Sequence, residues 1–134
     1  MKTATRRSLL PAGVAAVTVA AAGYVAAVDP NAAGQYPACP FLAVSGFYCP
    51  GCGALRAVHA VAHGDPLTAL DLNPLFTLTA PVLVYLWFRW ARASWTGRPM
   101  RTALAGPVVV WGFLAVALLF WLVRNLPFGR ILAP

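Results

Sequence analysis

Between Cys39 and His63 the chain gathers three cysteines, one arginine and two histidines, its densest run of reactive side chains in 134 residues. In Cys49-Pro50-Gly51-Cys52 two thiols stand one tight turn apart, because proline fixes φ and Gly51 permits a positive φ before a helix begins. Such a pair is half of a zinc site, each thiolate about 2.3 Å from the ion, and Cys39 offers a third ligand. His59 is the candidate fourth. Geometry weighs against it, since seven helical residues would set Cys52 and His59 about 10 Å apart along the axis, with His63 farther still.

The same cysteines allow other chemistry. In an oxidising compartment Cys39 would bond to Cys49 or Cys52 and staple the loop, leaving one odd thiol. Cys49 and Cys52 are also the pair a membrane thiol-disulfide oxidoreductase would use, with Cys52 at a helix N-terminus beside Arg56 and its pKa therefore expected to be lowered. Redox Cys-x-x-Cys pairs normally belong to a βαβ fold, for which this chain has no sequence. A further reading is a partner-binding loop, in which Arg56 and the histidines recognise an anionic group or another subunit while the cysteines hold its shape.

The elements that must position these groups are short. Residues 54–63 read as a helix stopped by Gly64, and Asp65 caps a following helix that starts at Pro66. If the first helix begins near Cys52, then Cys52, Arg56, His59 and His63 share one face. Leu55, Val58, Val61 and Ala62 fill much of the rest, so the helix is amphipathic and suits the membrane surface or a seat on the spans.

Three apolar segments surround this region. Residues 9–28 carry no charge and, at about 1.5 Å per residue, match a hydrocarbon core of about 30 Å. Residues 74–90 form the second span, with Asn73 as N-cap, Pro74 at the first position, Arg89 and Arg92 at the end, and a kink expected at Pro81. Residues 103–123 form the third, closed by Arg124 and Asn125, with Pro127 beyond. Several of Trp87, Trp90, Trp95, Trp111 and Trp121 fall near the expected interfaces, although Trp111 does not. Thr77 and Thr79 read as bonded to their own helix backbone. The fold class expected is an all-α membrane protein, a single domain over 1–134, with a Cys-rich extracytoplasmic loop and short amphipathic helices at 37–73.

Arginine placement orients it. Lys2, Arg6 and Arg7 precede the first span and Arg89, Arg92, Arg98 and Arg101 crowd the second linker, whereas 29–73 holds one arginine and all three acids. The amino terminus is therefore expected inside a bacterial inner membrane, with the cysteine loop and carboxyl terminus outside; Arg124 and Arg130 run against this. Arg6-Arg7 and Val25-Ala26-Ala27 also resemble a cleaved export signal, but the apolar run exceeds the usual 7–15 residues and reads as a retained anchor.

Composition narrows the function classes. With 60% hydrophobic and 10% charged residues, the chain is far from a soluble domain. Its net charge of +7 lies at helix ends without interleaved aromatics, which excludes nucleic acid as the expected partner. No glycine-rich phosphate loop and no nucleophile, base and acid set occurs, so the expectation is a structural or interaction protein rather than an enzyme. The spans lack the ionisable groups a transporter would place there. Partners expected are the lipid bilayer and either a second copy or another membrane protein, and the one cofactor the residues suggest is zinc.

The run Cys39-Pro40, Gly46, Cys49-Pro50-Gly51-Cys52-Gly53, Arg56-Ala57, Gly64-Asp65, Ala69 and Asn73-Pro74 resembles the signature of the bacterial membrane proteins catalogued as domain of unknown function 2752. The likeness covers about 37 residues, from Cys39 to Leu75. Members often have Thr where this chain has Leu55, so no role for that hydroxyl carries over. Leu55-Arg56-Ala57-Val58-His59 followed by His63-Gly64-Asp65 looks like the actinobacterial branch. The resemblance implies a membrane location and no activity.

Overall fold

The structure, a computed structural model, describes residues 2–32, 34–97, 99–100 and 106–133, with the backbone alone at 2–8 and 130. Its regular elements are all helical: α1 (Lys2–Ala27), α2 (Pro40–Ser45), α3 (Ala54–Ala62), α4 (Pro66–Leu72), α5 (Pro74–Thr96) and α6 (Pro107–Arg124), then a 3-10 turn at Pro127–Leu132. Leu9–Ala27 within α1 and the whole of α6, with mean hydropathy 1.8 and 2.1, are long and apolar enough to cross a membrane. The α4–α5 pair, bent by 120°, brings the number to three if it is one broken span. Exposed side chains such as Val17, Val19, Val108 and Trp111 fit contact with lipid. Arg98, Arg101 and the expected start of the third span at 103–105 lie outside the described residues.

The sharp bend is not where proline alone would put it. Helix α5 runs through Pro81 to Thr96, beyond the expected end at Trp90, and the chain turns instead at Asn73. That residue is extended (φ −159°, ψ 90°), and its Oδ1 accepts from the Phe76 N–H at 2.9 Å, capping α5. Thr77 Oγ1 reaches the Ala69 carbonyl at 2.8 Å and the Asn73 carbonyl at 2.9 Å, so it ties both arms of the elbow. Thr79 bonds the Leu75 carbonyl within its own helix.

Alanines let the small helices close on one another. Ala57, Ala60 and Ala69 form the buried contact of α3 with α4, backed by Leu72 and Phe76. Gly64, at φ +81°, makes the turn between them, and the Asp65 N–H donates to the Ala60 carbonyl at 2.9 Å. Asp65 then caps α4, accepting from the Thr68 N–H at 3.0 Å and its hydroxyl at 2.6 Å. Helix α1 packs on α3 and α5, where Trp87 Nε1 donates to the Pro11 carbonyl at 3.1 Å, so the indole N–H is satisfied within the protein.

Among the described residues, helix α6 has no extended packing against α1 or α5. It is joined to the rest at its C-terminal end, through an edge-to-face contact of Trp121 with Phe41 and through Arg124 and Asn125.

Candidate metal centre

Cys39 precedes α2 as its N-cap residue, with Pro40 at the first helical position, and Gly46 ends that helix at φ +73°. This turn of helix brings Cys39 back against Cys49-Pro50-Gly51-Cys52. The left-handed glycine of the motif is Gly53 (φ +87°), the N-cap of α3, and not Gly51. Cys52 therefore lies before the helix and does not share a helical face with Arg56, His59 and His63, as the spacing had suggested.

The three sulfurs converge. Cys39 Sγ is 3.6 Å from Cys49 Sγ, which is 3.1 Å from Cys52 Sγ, and all three lie within 4.8 Å of one another. The cysteines are free and half-buried. Thiolates about 2.3 Å from one tetrahedral ion stand roughly 3.8 Å apart, and the Cys39–Cys49 and Cys49–Cys52 separations, 3.6 and 3.1 Å, fall below that value. These residues could thus hold a single metal ion after small side-chain adjustments.

The thiols are electrostatically unequal. The Leu42 N–H in the first turn of α2 holds the Cys39 thiol below its ordinary range, whereas burial, reinforced by the Cys49 thiol, pushes Cys52 up to about 12. This reverses the expectation for Cys52: burial outweighs any helix or arginine effect, since the residue stands outside α3.

The backbone of the motif is clamped from behind. Arg124, only 1% exposed, donates through Nη1 to the carbonyls of Cys49 (3.0 Å), Pro50 (3.4 Å) and Cys52 (3.3 Å), and through Nη2 to Cys52 (3.3 Å). Asn73, wholly buried, sends Nδ2 to the Pro50 and Cys52 carbonyls at 2.9 and 3.0 Å. Asn125 brackets Tyr48, accepting from its N–H at 2.8 Å and donating to its carbonyl at 2.9 Å. The Phe120 and Tyr48 rings lie 4.8 and 5.8 Å from the Arg124 guanidinium carbon, while Arg124 Nε is buried without a partner. Among the described residues no carboxylate pairs with Arg124.

Other sequence candidates fall elsewhere. His59, considered as a fourth ligand, is not in the group: its Nδ1 lies 2.8 Å from the Val25 carbonyl and its Nε2 3.8 Å from Asp29 Oδ1, which joins α3 to the end of α1. His63 stacks on His59 at 4.2 Å. Pro50 and Gly51 shape the turn, and Gly64, Asp65 and Pro74 serve the helix junctions. Arg56 is exposed and lines a cleft of about 480 Å³ together with the three cysteines, Tyr36 and Leu55. Asn125 is legible in the sequence only as a helix-end residue, and Arg124 as a helix end and as a positive charge that runs against the expected orientation; neither pattern points to the cysteine turn.

No curated protein and no solved structure matches the chain. Residues 39–87, which contain the three cysteines, Arg56 and the Asn73 elbow, match the family model described as Protein of unknown function (DUF2752).

Proposed function

We propose that this is a multi-pass membrane protein in which Cys39, Cys49 and Cys52 hold one thiophilic ion, zinc in the first instance, and so fix the loop for a structural or interaction role. The observation that carries this is the convergence of all three sulfurs, because a disulfide needs only two and leaves an odd thiol. Charge supports it too. Three thiolates and one divalent ion carry a single net negative charge, the complement that the buried, carboxylate-free Arg124 lacks. The 3.1 Å approach of Cys49 to Cys52 favours a second reading, a bridge between those two.

Metal analysis of the purified protein, with intact mass before and after alkylation, separates the two. The proposal predicts one ion per chain and three thiols that alkylate only after chelation; a metal-free chain lighter by two hydrogen atoms would replace it with the bridge. We further propose three spans, from α1, α5 and α6, with the amino terminus inside, the loop outside and the actinobacterial-type subgroup as its kin. A reporter active only in the cytoplasm should give signal after Gly97 and none after Pro134, and the reverse pattern would refute this topology.

A further inference from the structure

We infer that the ion held by the three cysteines keeps its fourth coordination position open to the adjoining cleft, and that this position takes a small organic anion, a carboxylate or thiolate, steered by Arg56. The inference rests on the metal reading above. Four-coordinate zinc with three protein donors leaves one place for water or an incoming ligand, whereas closed structural sites use four protein donors. Among the described residues only three donors gather here, and the nearest sequence candidate, His59, is engaged with Val25 and Asp29.

The cleft begins at these sulfurs. It has a volume of about 480 Å³, the size of a small-molecule site, and Cys39, Cys49 and Cys52 form part of its wall. Among the described residues, Arg56 is the only fixed charge on that wall, and no acid lines it. Tyr36, Leu42, Leu55 and Pro30 provide apolar surface for the body of a ligand. Arg124 and Asn73 are absent from the lining and hold the loop carbonyls from the other side. The cleft therefore pairs a Lewis acid with one cation above apolar walls, and an anion bound there displaces the metal's water and donates one lone pair to the ion.

Cobalt(II) reconstitution of the full chain in detergent, with a phosphine as reductant, tests this. Sulfur-to-cobalt charge-transfer bands report the metal site, and the visible d–d bands report the fourth ligand. Titration with azide, then with 3-mercaptopropionate, is expected to shift the d–d bands and saturate. Arg56→Gln is expected to raise the apparent Kd for 3-mercaptopropionate roughly tenfold, and Arg56→Lys to recover part of it. Charge-transfer bands with d–d bands that neither ligand moves would overturn the open position while leaving the metal site standing. Equal affinity in Arg56→Gln would overturn the role of Arg56. Absence of charge-transfer bands would instead remove the metal reading itself.

Discussion

Arg124 and Cys49 are 75 positions apart in sequence, yet Arg124 Nη1 donates to the Cys49 carbonyl at 3.0 Å, and this contact joins the end of α6 to the cysteine turn. A cation buried this deeply is costly unless carbonyl dipoles, ring faces and a nearby negative charge compensate it. Arg124 has the first two in the protein's own structure.

Arg124→Met should therefore loosen the loop rather than only remove a surface charge. It strips the turn of several bonds at a buried site, with an expected loss of about 3 kcal/mol in stability, while Arg124→Lys retains the charge and should lose roughly half as much. Thermal unfolding in detergent, with metal content measured alongside, checks both.

Asn73 and Asp65 are both helix caps, but only one also holds the cysteine turn. Asp65→Ala removes an exposed cap and should cost about 1 kcal/mol. Asn73→Ala removes a cap and two buried bonds to the Pro50 and Cys52 carbonyls, so about 2–3 kcal/mol is expected, with faster hydrogen exchange in the turn. Equal losses in the two variants would contradict the clamp.

His59→Gln should leave metal content unchanged, because the ring is bonded to the end of α1 and not to the thiol group. Cys39→Ser should release most of the metal. If the histidine variant lost metal as the cysteine variant does, His59 would have to swing into the site.

In the reduced, metal-free protein the thiols should alkylate in order. Thiolate is the reactive form, so Cys39, held low by the Leu42 N–H, should react at lower pH than Cys52, which at pH 8 has a thiolate fraction of roughly 10⁻⁴ if its pKa is about 12. Mass mapping of iodoacetamide adducts between pH 6 and pH 10 follows this, and a first adduct on Cys52 would contradict it.

The long apolar runs were legible because a period of hydrophobicity with no charge leaves few alternatives, and the Asp65-Pro66 and Asn73-Pro74 starts were legible because a cap followed by proline has one local use. The short helix α2 carried the same signal in Cys39-Pro40 and Gly46, but only six residues separate its ends. The 120° elbow went unread because Asn73 is at once a stop and a start, whereas α5 continues unbroken through Pro81. The clamp by Arg124 and Asn125 has no local pattern at all. It exists only once α6 is brought to the loop, and its one trace in the sequence was a positive charge that ran against the expected orientation.

X-ray absorption at the zinc edge of the purified, zinc-loaded protein tests the central claim most directly. Three sulfur neighbours at about 2.3 Å with one lighter oxygen or nitrogen neighbour at about 2.0 Å is the predicted shell. A shell of oxygen and nitrogen alone, as for ion held by surface histidines, would contradict it.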